Sequence, residues 1–226
     1  LYNMVDTVIV GKFVGVNALA GVGSTGAINF LVIGFALGIC SGFSIMIAQR
    51  FGAGDYSGMR KFIANSIYLC IAVAVILTAV TMLLTKPILT VMNTPKEIYD
   101  YAYNYIIIIF AGISATMFYN ILSGILRAVG DSRTPLIFLG VSSVLNVGLD
   151  LLCIIVFKMG VAGAGIATVI SQAISAFLCL IYIRKNYDIL RFEHDEFKFE
   201  AHRAKRLVSV GIPMALQFSI TAIGSI

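Results

Sequence analysis

The sequence predicts an all-α integral membrane protein: a six-helix transmembrane lobe, its first helix truncated, followed by the start of a seventh helix. Three features carry that expectation. The 226-residue chain is 59% hydrophobic and only 12% charged, with a mean hydropathy of +0.97, whereas about a quarter of the residues of a soluble domain are charged. Its apolar residues come in continuous runs rather than alternating ones, which selects helices over a barrel. One run, Leu136 to Phe157, extends roughly 33 Å at about 1.5 Å per residue, enough to cross a bilayer.

The runs follow one another with clear punctuation. Leu1 to Gly11 is too short to span, and the chain lacks an initiator methionine. It reads as a helix that has lost its front, and the run still apolar at Ile226 reads as one cut short. The second run goes from Ala18 to Gln49, with glycines at 21, 23, 26, 34, 38 and 42 of the kind that let helices approach closely in lipid. The loop RFGAGDYSGMRK after it is glycine-rich, but it lacks both the preceding strand and the GxxxxGK[ST] order of a phosphate-binding turn. A third run, Phe62 to Thr85, leads into KPILTVMNTPKE, whose two prolines are expected to break the helix. The fourth, Tyr101 to Leu126, reads as a single helix. The fifth is the Leu136 run, and a short turn around Gly160 leads to the sixth, Val161 to Ile183. A densely charged segment then precedes a seventh run that starts near Leu207. The division this suggests is a lobe over 1–183, a linker over 184–206, and the start of a second lobe over 207–226.

Charge gives the orientation. Of the sixteen Lys and Arg, four (Lys12, Lys86, Lys96, Lys158) follow the odd-numbered runs and the other twelve follow the second, fourth and sixth. The positive-inside rule puts the twelve in the cytoplasm of a multi-pass protein of the plasma (inner) membrane. The net charge of +5 is then a topology signal, and no nucleic-acid partner is expected. Cys40, Cys70, Cys153 and Cys179 all sit in apolar runs without a C-x-x-C pair, as small reduced core residues do. His194 and His202 fall in the charged segment and read as solvated side chains rather than metal ligands.

Two carboxylates lie inside the runs, Asp6 and Asp150. A charge at that depth costs at least about 2.5–3.5 kcal/mol and by default marks an ion or substrate path. Asn146 lies one helical turn before Asp150, on the same face. Counted from Lys12 and from Lys158, Asp6 and Asp150 lie roughly 9–12 Å below one membrane surface. Thr168 lies at about the same depth in the sixth run. Polar side chains from three helices at one level point to a shared hydrated site. Either a proton shared by the carboxylates or a sodium ion held by their oxygens suits this set. An intramembrane enzyme with Asp6 and Asp150 as a catalytic dyad is the remote alternative. It is disfavoured because neither aspartate carries the flanking glycine-aspartate signature and Asp150 sits among leucines. Transport, not catalysis, is expected.

The wording of several segments also resembles a known family. LYNMVDTVIVGKFVG followed by NALAGVG, then AQRFGAGD, ILRAVGDSRTP, NVGLD, GVAGAGIATVISQ and GIPMALQ are similar, in order, to segments of the multidrug and toxic compound extrusion (MATE) transporters. The likeness is to the bacterial branch that includes the DinF and NorM types. The resemblance implies a twelve-helix antiporter of two six-helix lobes, with this chain as the first lobe and the start of the second. It implies a first-lobe cation site on Asp6, Asn146, Asp150 and Thr168, a proton or sodium coupling ion and no other cofactor. It also implies export of amphipathic, often cationic drugs. The partners implied are those drugs or toxic organic cations, the lipid bilayer and the C-terminal lobe of the same chain. Phe30, Phe35, Met46, Met117 and Tyr119 are candidates for a drug-cavity lining, although core packing or lipid contact accounts for each taken singly. A lipid-linked oligosaccharide flippase is the alternative within transport. The absence of Lys and Arg from the runs argues against it, because such a cavity needs cations for a diphosphate.

Overall fold

A computed structural model describes residues 2–193 and 195–223; His194 lies outside the described residues. The order of elements is α1 Tyr2–Phe13, α2 Val16–Ser24, α3 Gly26–Gly52, α4 Tyr56–Val91, α5 Lys96–Ala111, α6 Ile113–Ala128, α7 Arg133–Leu151, α8 Gly160–Asn186 and α9 Ala201–Ile223. No strand occurs among the described residues. Among the described residues four helical stretches are long and apolar enough to cross a membrane, five if the bent pair α5–α6 is counted as one span. The helices form two packed groups, α3 with α4, α6 and α9, and α8 with α1, α5 and α7, joined where α6 lies against α8. A large apolar core around Phe43, Phe62 and Phe110 runs from the first group into α5 and α8, and a smaller one beside α1 and α2 gathers Val10, Val22, Ile109 and Ala164.

The second run is not one helix. It stops at Ser24 and restarts at Gly26, because the hydroxyls of Ser24 and Thr25 donate to the carbonyls of Gly21 and Val22 at 2.8 and 2.7 Å. Those bonds offer the backbone an alternative to the helical ladder. The fourth run also divides, bending by 46° at Gly112. A β-carbon at Gly112 would collide with the side chain of Val169 on α8, so the missing side chain lets the bend nest against its neighbour. Pro87, by contrast, does not end its helix. It sits inside α4, which continues to Val91; only the carbonyl one turn earlier loses a donor, near the helix end. The break comes at Asn93, with φ of 50°, and Pro95 precedes α5 as its cap residue. Gly160 to Gly163 are helical rather than turn, and α7 continues through a widened turn over Leu152–Val156, closed by the bond from Phe157 N to Leu152 O at 3.1 Å.

Among the described residues α9 packs along α3 more extensively than any other pair of helices. At Gly42 an added β-carbon would stand 2.6 Å from Gly211 Cα and 3.0 Å from both Gly211 N and Val210 O. These are backbone atoms that cannot swing aside. Gly42→Ala is therefore expected to lower stability by about 1–3 kcal/mol, seen as a lower thermal midpoint in detergent; an unchanged midpoint would mean that α9 is free to shift.

The charged segment after α8 is folded rather than slack. α8 runs to Asn186 and α9 begins at Ala201, and the described residues between them form a strap laid along the first turns of α4. Arg60 of α4 holds Glu196 through Nε and Nη2, at 2.5 and 2.9 Å, and Ser57 donates to the same carboxylate at 2.7 Å. Farther along, Asn65 donates to Lys198 O at 3.2 Å and accepts from Glu200 N at 2.8 Å. The Arg60 hydrogen bond is the main reason the Glu196 carboxyl is held down at about 2, against an ordinary 4.5. A carboxyl lowered by folding contributes stability that is present above its unfolded value and disappears as pH falls through the folded one. The strap is thus expected to loosen between pH 4.5 and 2, detectable as faster cleavage of 187–200 by an acid-active protease. Unchanged cleavage across that range would contradict the clasp.

Candidate functional site

Four helices, α1, α5, α7 and α8, converge on one polar cluster. Along α7, Ser142, Asn146 and Asp150 are all buried, and their spacing of one turn makes them a single stripe. That stripe faces α8, where Ser142 Oγ donates to Ser171 O at 3.0 Å. α1 and α8 bring Asp6 and Thr168 to the same place, and α5 adds Tyr105.

Asp6 is the hydrogen-bonded centre of this cluster. Its Oδ2 accepts from Tyr105 Oη at 2.8 Å and from Thr168 Oγ1 at 3.0 Å, and its Oδ1 accepts from Asn146 Nδ2 at 3.5 Å. Asn146 Nδ2 also donates to Thr168 Oγ1 at 3.1 Å. The threonine hydroxyl, the asparagine amide and the tyrosine hydroxyl therefore all direct protons at Asp6 or its immediate neighbour.

Asp150 is treated differently. It is a second carboxylate within electrostatic reach of Asp6. Yet both of its oxygens are buried, and among the described residues no donor reaches either of them; Asn146 Oδ1 is in the same condition. Three acceptor oxygens without donors make a cluster deficient in positive charge. Buried polar atoms left this way cost about 1–3 kcal/mol each, and groups so placed point to a functional role. A proton or a small hard cation fits this donor set, since oxygen ligands are what such an ion accepts.

The four residues selected from the sequence, Asp6, Asn146, Asp150 and Thr168, thus lie together. Tyr105 was missed. It stands among Tyr99, Tyr101 and Tyr103, tyrosines of the kind that gather at a membrane surface. The signal was that Tyr105 is the deepest of the four, about a turn past Tyr101, where the run turns to isoleucine.

Beside the cluster, a cleft of about 350 Å³ is lined by Asn29, Phe30, Thr116, Tyr119, Asn120, Gln172 and Thr168, among others. Thr168 thereby belongs both to the carboxylate cluster and to the cleft wall. Of the aromatic and methionine candidates, Phe30 and Tyr119 reach this cleft. Met117 lines a separate, almost wholly apolar hollow with Cys70 and Phe177, and Phe35 and Met46 pack against the main core. The four cysteines are buried and free.

Comparison with known proteins agrees with this architecture. A family profile described as MatE matches residues 1–152. The probable multidrug resistance protein YoeA of Bacillus subtilis (strain 168) is 30% identical over 99% of this chain and 50% of its own length. Among solved structures, the inward-facing conformation of a multidrug resistance MATE family transporter of the MOP superfamily superposes with a TM-score of 0.90 at 27% identity, over 98% of this chain and 50% of that one. The outward-facing conformation of a transporter so described also gives 0.90 at 27%, over 99% and 50%. The chain spans about half the length of the curated relatives it matches. With the profile matching well over half of its residues and the fold agreeing nearly end to end, the chain belongs to the MatE family of MATE multidrug transporters.

Proposed function

We propose that this chain forms the cation-coupled half of a secondary multidrug exporter that exchanges an inward-moving proton or sodium ion for an amphipathic, often cationic drug. Residues 1–183 are the lobe that holds the ion, 184–206 connect it onward, and 207–226 open the second lobe. Asp150 and Asn146 supply the oxygens that take the ion, Asp6 shares it, and Tyr105 and Thr168 hold Asp6 in place. The loops after the second, fourth and sixth runs face the cytoplasm.

The observation that carries this reading is the set of three buried acceptors without donors, Asp150 Oδ1, Asp150 Oδ2 and Asn146 Oδ1. Filling that set with a positive charge removes the reason for Asp6 and Asp150 to repel each other. Thr168 connects the event to the substrate, because its hydroxyl holds Asp6 while its side chain forms part of the cleft wall. An ion that rearranges the cluster therefore alters the surface a drug meets. Among the described residues no Lys or Arg lines the cleft, which suits a positively charged guest held by aromatic faces and side-chain oxygens.

The test is dye efflux from vesicles carrying the full-length transporter, driven by a pH gradient alone and then by a sodium gradient alone. Efflux under one of the two is the expected result and names the ion. Efflux that responds to neither gradient would sink the antiport reading, and failure to move any dye would favour the flippase.

A further inference from the structure

The strap between α8 and α9 has two faces, and only the inner one is accounted for by Arg60 and Asn65. The outer face carries Phe192, Phe197 and Phe199, which are 39%, 46% and 58% exposed. They are not scattered. Phe192 and Phe197 pack edge to face with centroids 5.0 Å apart, and the ring of Tyr68 on α4 lies 5.2 Å from Phe197 and 6.2 Å from Phe199. Tyr68 Oη also donates to Phe197 O at 3.5 Å. The strap thus ends in an ordered aromatic patch that points away from the protein.

The level of this patch along the membrane normal follows from α4. That helix has 36 residues, so it is about 54 Å long, against a hydrocarbon thickness of about 30 Å. Lys86 marks one surface. About 20 residues are needed to cross the core, and counting back that far from Lys86 reaches Ser66, so Tyr68 lies at the opposite boundary. Toward Tyr56 the helix projects beyond the hydrocarbon, and this is the part that the strap covers. Past Tyr68, Ile71 and Val75 continue the same helix face and are exposed, as lipid-facing residues are. The phenylalanine patch is continuous with that lipid-facing band. Lys198 and Arg203 lie beside it, paired with Asp195 and Glu200 at 2.6 Å, where long cationic stems extend from an interface into water.

We propose that the strap is an interfacial anchor, with Phe192, Phe197 and Phe199 inserted into the leaflet at the end of the bundle where α4 begins. Rings at this boundary sit at headgroup level, apolar body inward. Bilayer contact on the outer face and the Arg60 clasp on the inner face together fix the chain that leads into α9. Conformational change in the full transporter then pivots about a connection seated in the membrane.

The 226 residues contain no tryptophan, which gives a direct test in the full-length transporter reconstituted into vesicles. Phe197→Trp adds one indole to this half, and its emission is read as the difference from the unsubstituted protein. With lipids brominated along the acyl chain, that emission is expected to be blue-shifted and quenched to an extent approaching that of Val75→Trp in the lipid-facing band. Tyr56→Trp, at the far end of the projecting turns, should remain unquenched. Blue-shifted but unquenched emission from Phe197→Trp would show that protein covers the patch. Red-shifted, unquenched emission would place it in water. Either overturns the proposal, and Phe199→Trp repeats the measurement should the first variant fail to fold.

Discussion

Asp150→Asn is expected to stop ion-driven efflux and yet leave the helix bundle more stable than the native chain. The two effects have one cause. Both oxygens of Asp150 are buried without a donor among the described residues, facing a second carboxylate that already receives three hydrogen bonds. An asparagine there keeps the shape, removes one of two like charges, and brings an amide whose protons can reach Asp6. Relief of unsatisfied polar atoms amounts to about 1–3 kcal/mol. The same change deletes the group that takes the ion, and efflux should fall by at least about tenfold, equivalent to roughly 1.4 kcal/mol of ion affinity. Efflux in vesicles and thermal unfolding in detergent, measured on the same preparation, separate the outcomes. Efflux lost with stability raised supports a site strained for function. Efflux lost together with stability marks Asp150 as structural, and efflux retained removes it from the coupling machinery. Asparagine at Asp6 should behave in the opposite way for stability, because Tyr105, Thr168 and Asn146 would all lose a carboxylate acceptor.

The neighbours in this cluster were legible because membrane helices are rulers. A rise of about 1.5 Å per residue and a fixed bilayer thickness turn sequence distance from Lys12 and Lys158 into depth, and polar side chains at equal depth have few places to go other than toward one another. Spacing alone put Asn146 and Asp150 on one face. What depth does not encode is azimuth across helices, and so Tyr105 was lost among tyrosines of the same spacing. The helix breaks were hidden for a different reason. Hydropathy is blind to backbone geometry: the apolar content does not change at Thr25 or Gly112, where side-chain hydroxyls and the approach of Val169 make the breaks. Pro87 misled in the other direction, since a proline removes one donor and a long helix near its end can do without it. The strap looked like a flexible linker because its composition is that of one. Its order depends on Arg60, Asn65 and Tyr68, more than a hundred residues earlier in the chain, and no local signal reports a partner at that separation.

Arg60→Ala should be the most damaging substitution outside the carboxylate cluster. Arg60 and Glu196 are both buried, at 7% and 5% exposure, and joined by two hydrogen bonds at 2.5 and 2.9 Å. Glu193 adds a contact at 3.0 Å, but its side chain is 74% exposed, and solvent screening leaves it little weight. Among the described residues, removing the guanidinium leaves Glu196 with the Ser57 hydroxyl and the Glu193 amide as donors, in a setting that was closed around a full positive charge. A buried pair broken on one side costs about 3–5 kcal/mol, whereas replacing both members with apolar groups of similar size is often close to neutral. The expected result is a large drop in thermal midpoint and rapid proteolysis of 187–200 for Arg60→Ala, with most of the loss recovered in the double variant Arg60→Met, Glu196→Leu. Recovery would mean that the clasp matters for where it seats the strap rather than for its charge. Equal damage in the double variant would mean that α4 needs the ion pair itself, and a small effect from Arg60→Ala alone would mean that the hydrogen bonds at Asn65 hold the strap unaided.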